Sequence, residues 1–226
     1  MLQRTDRKVA FALAATLEHY LPLLEQVIEQ TRRRVLQGET VPASEKIVSM
    51  FEPHTAIIRR GKSAPHETEF GRKFWCSEVD GGLVSEYRLL EGNPADADQW
   101  PLCLEHHIAL FGHAPKTATA DRGVYSPANE DCAKQAGVAE VALPQPGAVT
   151  PERRAYEAQP WFKAALRFRV GVEGRISVLR RSRGLRRCLN QGEAGMERWV
   201  GWGAIANNLA VLATALAQRQ GYVAKP

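Results

Sequence analysis

Two carboxylates with arginines close by are the residues of this chain best suited to chemistry. Asp121 follows the short run Thr117-Ala118-Thr119-Ala120 and precedes Arg122-Gly123. A carboxylate just past the carboxyl end of a strand stands at the edge where open α/β sheets hold ligands, and Gly123 lets the chain turn there. The competing local reading is a turn or helix-capping aspartate. Glu173 lies in Arg169-Val170-Gly171-Val172-Glu173-Gly174-Arg175-Ile176-Ser177-Val178-Leu179-Arg180. On an α-helix, Arg169, Glu173 and Arg180 share one face. A surface salt-bridge ladder of little energetic weight is the plain alternative. Gly171 and Gly174 flank the glutamate, although each costs a helix about 1 kcal/mol relative to alanine. Glycines so placed permit close approach of a backbone or ligand. Carboxylates converging from a strand end and a helix suit Mg²⁺, which combines a few carboxylates with waters and phosphate oxygens. Two such ions can support in-line phosphoryl transfer, with arginines one or two helical turns away holding phosphates.

The charge pattern agrees with a polyanionic partner. The 226 residues carry a net charge of +5, a small excess that says little by itself. Between Pro151 and Asn190, however, eleven arginines and lysines face only three glutamates, so the positive charge is concentrated in the segment that holds Glu173. Hydrophobic residues make up 44% of the chain, enough for a packed core and too many for disorder. Cys76, Cys103, Cys132 and Cys188 form no Cys-x-x-Cys pair, which argues against a disulfide framework and for a reduced cytoplasmic compartment. Cys103, His106, His107 and His113 lack a second ligand pair at zinc spacing. The start of the chain shows no signal-peptide pattern. The apolar run Trp199 to Ala217 is interrupted by Asn207 and Asn208 and reads as a buried helix, not a membrane span.

The elements that must position the two carboxylates follow from periodicity and turn signals. Asp6 to Gln37 reads as helix, with apolar residues from Val9 to Ile28 at helical spacing. Pro22 kinks it or begins a second helix, and Gly38 ends it. Arg32-Arg33-Arg34 reads as a solvated face. Ile47 to Ile58 is extended with a break at Glu52-Pro53-His54. Phe70 to Val79 and Leu83 to Leu90 form a hairpin around Asp80-Gly81-Gly82. Trp100 to Phe111 is a helix, Thr117 to Ala120 a short strand, Pro127 to Ala136 a helix and Val138 to Leu143 another short strand. Pro151 to Arg183 is mainly helix, broken near Pro160, and Glu193 to Gln218 is the last helix. Trp161, Trp199 and Trp202 read as packing residues. The expectation is one mixed sheet with helices on its faces.

Arg169-x3-Glu173-x6-Arg180 resembles the glutamate signature of insertion-sequence DDE transposases, Tyr-x2-Arg-x3-Glu-x6-Lys. Leu166 stands at the tyrosine position and Arg180 at the lysine. Ala120-Asp121-Arg122-Gly123 resembles the family's second-aspartate motif, an aspartate followed by x-Gly-Tyr, with Val124 at the tyrosine position and Tyr125 one residue later. Phe70-Gly71-Arg72-Lys73 and Gly92-Asn93-Pro94-Ala95-Asp96 resemble its hairpin and the turn after it, and Asn208-Leu209 its last helix. The resemblance runs from about Val41 to Ala217.

That resemblance implies a ribonuclease H-like α/β fold, with the catalytic domain over residues 41–218, a helical segment 1–40 ending an insertion, and a tail 219–226. It implies metal-dependent strand cleavage and transfer at insertion-sequence ends, with Asp121 and Glu173 as metal ligands for two Mg²⁺ ions. Arg169, Arg175, Arg180 and Arg181 then hold DNA, and the partners are terminal repeats, target DNA and further copies of the chain, in the cytoplasm at the nucleoid and off the membrane. The family's first aspartate lies on a strand before the hairpin, where this chain has no Asp-Ser-Thr or Asp-Thr-Thr; Asp6 sits in helical sequence. A reading frame truncated at Met1, and hence a sheet incomplete at its N-terminal edge, is the expectation. The alternatives are an inactive transposase remnant that binds DNA, and a ribonuclease H-like nuclease that does not transpose.

Overall fold

The computed structural model describes residues 2–59 and 68–222, apart from the side chains of residues 2–6 and 59. The chain is of mixed α/β class and divides into two compact units, residues 1–73 with 90–93 and residues 74–89 with 94–226.

In the first unit, helix α1 (Leu2–Val35) runs without interruption through Pro22, so the missing N–H there does not end it. Arg32, Arg33 and Arg34 occupy its last turn, where cations complement the carbonyl end of the helix dipole. Gln30 fixes the return of the chain: its amide donates to the Ile47 carbonyl and accepts from the Ile47 N–H, both at 2.9 Å. Arg33 pairs with Glu39 and Glu45 at 2.8 and 2.7 Å, and Val41 and Ile47 are buried. Strands β1 (Ala56–Arg59) and β2 (Thr68–Gly71) pair antiparallel. The single strand expected over Phe70–Val79 is thus two, separated at Arg72-Lys73 and paired with different partners.

The second unit begins with an antiparallel hairpin, β3 (Phe74–Val79) and β4 (Leu83–Leu89), whose register shifts between Ser77 and Glu78. Gly81 and Gly82 both take positive φ at the turn, a conformation glycine adopts at no steric cost. Helix α2 (Trp100–Phe111) leads to β5 (Thr117–Thr119), α3 (Pro127–Gln135) and β6 (Glu140–Ala142). β5 and β6 pair in parallel. Their side chains join Trp100, Leu104, Val124, Ala133, Val138 and Leu143 in one core, against which Trp75 of β3 packs. Helices α4 (Pro151–Glu157) and α5 (Pro160–Ser182) each begin with a proline, a residue whose missing N–H costs nothing at a helix start. The final helix, α6 (Glu193–Arg219), lies on β4.

Three corrections to expectation follow. Among the described residues the strands pair only two by two, so no single mixed sheet forms: nothing there bridges the hairpin to the β5–β6 pair. The last helix is covered on one face only. Val200, Ala204 and Asn207 are buried, while Trp202, Ile205, Leu209, Leu212 and Leu216 on the other side are exposed. Trp202 is therefore not a packing residue, unlike Trp161, which meets Tyr156 and Phe162, and Trp199, which donates to the Gly184 carbonyl. By length and composition α6 matches a membrane span, but its central asparagines are committed to the hairpin. Asn208 donates to the Val84 carbonyl and accepts from the Val84 N–H, both at 2.8 Å, satisfying backbone groups of a strand edge.

Candidate functional site

Helix α5 is held at both ends and open in the middle. Near its start Phe162 and Ala165 are buried with Ala142 of β6. Near its end Leu179 is buried with Val84 of β4 and Ala204 of α6. The stretch between carries Arg169 and Glu173. Asp121 comes from the end of β5, where its Oδ1 accepts the Arg122 N–H at 2.7 Å, so the turn-capping reading of this residue is met. It also does more. The Arg169 guanidinium reaches Asp121 Oδ1 at 3.4 Å and Glu173 Oε1 at 2.8 Å. The structure thus brings the two expected carboxylates to one cation, although Arg169 and Asp121 are 48 positions apart.

This arrangement is open and electrostatically soft. The carboxylate side chains are 70% and 63% exposed, against 24% for the arginine. Two anions near one another repel, and a shared guanidinium offsets that repulsion. The Arg169 Nε is buried without a partner. Hard carboxylate oxygens suit Mg²⁺, but two of them are fewer than a closed site needs, and no three His, Cys, Asp or Glu side chains cluster among the described residues.

Of the other arginines, Arg180 and Arg181 are exposed, with Arg181 donating to Ser177 Oγ. Arg167, Arg186 and Arg187 are exposed as well. Arg175 has work inside the unit that its sequence position does not announce. It reaches Glu78 Oε2 of β3 at 3.3 Å and Asn207 Oδ1 of α6 at 3.4 Å, and an added Cβ at Gly82 would collide with its guanidinium. Arg153 is likewise turned inward, bonded to Glu130 and Glu157 at 2.8 Å and stacked on Tyr125 and Tyr156. The positive segment is therefore part surface and part internal tie.

Two of the four cysteines are held as unreactive thiols. Burial pushes the Cys76 thiol up to about 12, with Glu78 and Glu86 adding to the shift. Burial also raises Cys103, against the lowering effect of Ser77. Both remain protonated near neutrality, unlike a reactive cysteine.

Gly171 and Gly174 are exposed helical residues, and a Cβ built on either meets nothing within 4 Å. Among the described residues no contact explains them. Gly171→Ala and Gly174→Ala are expected to raise stability by roughly 0.5–1 kcal/mol each, read as a shift of the urea midpoint. A loss of stability would reveal a steric constraint that the open space does not show.

Scans against protein-family models and searches of curated proteins and solved structures return no match to this chain.

Proposed function

We propose that this chain provides much of the catalytic domain of a DNA strand-processing enzyme of the DDE transposase type. The observation that carries the reading is the convergence of Asp121, from the end of β5, and Glu173, from α5, on the Arg169 guanidinium. The order hairpin, helix, strand, helix, parallel strand, helix supports the ribonuclease H-like reading.

In this reading Asp121 and Glu173 would hold Mg²⁺ through their carboxylate oxygens. Two ions, when bound, activate the attacking oxygen and stabilise the leaving one in an in-line displacement. The chain's own residues do the positioning. Arg169 holds the two carboxylates to one side of α5 through its contacts at 3.4 and 2.8 Å. The turn at Arg122 fixes one Asp121 oxygen. Arg180 lies on the Glu173 face of α5, two turns on, and with Arg181 binds phosphate oxygens, fixing register on DNA without reading its sequence. The exposed arginines favour DNA binding in an incomplete or inactive version of the protein as well.

The experiment is a Mn²⁺ titration followed by paramagnetic broadening of backbone amide signals, which detects weak sites. Broadening is expected first at Asp121, Arg122 and Glu173, and is lost in Asp121→Asn and in Glu173→Gln. Broadening confined to other acidic surfaces would overturn the metal assignment.

A further inference from the structure

The face of α1 that the described residues leave exposed carries a heptad. Ala14, Leu17, Leu21, Leu24, Ile28, Thr31 and Val35 follow one another in steps of three and four, the spacing that keeps one seam of a helix toward a partner helix. On another face Tyr20, Gln30 and Arg33 contact Phe51, Ile47 and Glu45, and Leu23 and Val27 are half-buried. The seam itself is open: Leu17, Leu21, Leu24 and Ile28 are 42–51% exposed and Val35 69%. Packing among the described residues does not account for apolar side chains at these positions.

We propose that this seam is closed by α1 of a second copy of the chain, running antiparallel. The charges beside the seam choose the occupant and its direction. Glu18, Glu25 and Arg32 are the residues that follow Leu17, Leu24 and Thr31 on the flank away from the unit's own packing, and all are exposed. In an antiparallel pair with Leu24 of one copy against Ile28 of the other, the same flank of each helix meets. Glu18 then lies near Arg32 of the other copy, and the reverse contact forms by symmetry. Leu17 meets Val35 and Leu21 meets Thr31. Glu25 lies near its own copy at the axis, the one like-charge contact. A parallel pair brings the Arg32-Arg33-Arg34 ends of both copies together and leaves Glu18 without a cation opposite. Arg32 is available for the contact, because its present partner Glu29 is 3.1 Å away on an exposed helix surface, an interaction worth little. The exposed face of α6 also follows a three-four spacing, but its charges stand only at the ends, Glu197 and Arg198 before Trp202 and Arg219 after Leu216, with none beside the apolar run.

The test uses the whole chain in sedimentation velocity over a concentration series at low salt. A monomer–dimer equilibrium is expected, with Leu24→Glu giving a monomer of unchanged circular dichroism. Glu18→Lys weakens the dimer by about tenfold, since two attractive contacts become repulsive, and Arg32→Glu added to it restores the affinity. In a mixture of Leu17→Cys and Val35→Cys chains, disulfide cross-links form between the two variants and not within either. A monomer at every concentration overturns the proposal. So does a dimer that survives Leu24→Glu, including one lost instead on Leu209→Glu, which would place the contact on α6. Failure of the charge swap to rescue, or self-linking of Leu17→Cys, overturns the antiparallel arrangement.

Discussion

Replacing Arg175 with alanine is expected to lower the stability of the second unit by about 3 kcal/mol. The guanidinium is the ionic partner of Glu78, whose side chain is only 6% exposed. Removing one member of a buried pair leaves the other charge uncompensated, which costs about 3–5 kcal/mol in typical cases. The lower end applies because Arg175 keeps 24% of its side-chain exposure. The same change frees the Asn207 oxygen and the space beside Gly82, so hairpin, α5 and α6 loosen together. All five tryptophans, Trp75, Trp100, Trp161, Trp199 and Trp202, lie in this unit. Tryptophan fluorescence during urea unfolding therefore reports it selectively. Arg175→Ala combined with Glu78→Gln should recover part of the loss, because the stranded charge is then gone. An Arg175→Ala chain as stable as the parent would show that the arginine is free for a ligand, as its place beside Glu173 in the sequence suggests.

That contrast shows how much the sequence could reveal. Glu173 and Arg169 are four residues apart, so their pairing is a local property of any helix containing them. The hairpin around Asp80-Gly81-Gly82 and the break at Pro160 are equally local, because a turn demanding positive φ and a proline at a helix start each leave a direct trace. Asp121 is legible as a carboxylate past a strand end, and its grouping with Glu173 is what the resemblance implies; its contact with Arg169, 48 positions away, has no trace in the sequence. Arg175, Glu78 and Asn207 were illegible as a group. Their contacts span 97 and 32 positions and exist only because α5 and α6 pack beside the hairpin. The division of Phe70–Val79 into two strands depended on pairing partners that no local pattern names. The exposure of Trp202 likewise depends on which face of an apolar helix the hairpin takes.

Metal-free DNA binding is expected to respond in opposite directions to two sets of substitutions. Arg180→Ala with Arg181→Ala removes two cations from the exposed end of α5. If each holds one phosphate, the slope of log affinity against log salt concentration becomes shallower by about 1.8, at about 0.9 per phosphate. Affinity at low salt should fall by one to two orders of magnitude, and alike for unrelated sequences, because phosphate contacts carry no base information. Asp121→Asn with Glu173→Gln removes two exposed negative charges from the same side of the helix. Without metal those charges repel the backbone, so this variant should bind DNA several-fold more tightly than the parent. Mg²⁺ should then strengthen binding by the parent chain and have far less effect on the neutralised one, since a cation held by the carboxylates supplies what their removal supplies. Fluorescence anisotropy of a labelled duplex across a salt series measures all of this with the chain as it stands and needs no catalytic turnover. The paired result separates a nuclease-like site from a generally basic surface. A basic surface alone predicts the arginine effect, but it leaves the Mg²⁺ response of the two proteins the same. If the carboxylate variant binds no more tightly and responds equally to Mg²⁺, Asp121 and Glu173 do not face the DNA, and their contact with Arg169 is a structural tie.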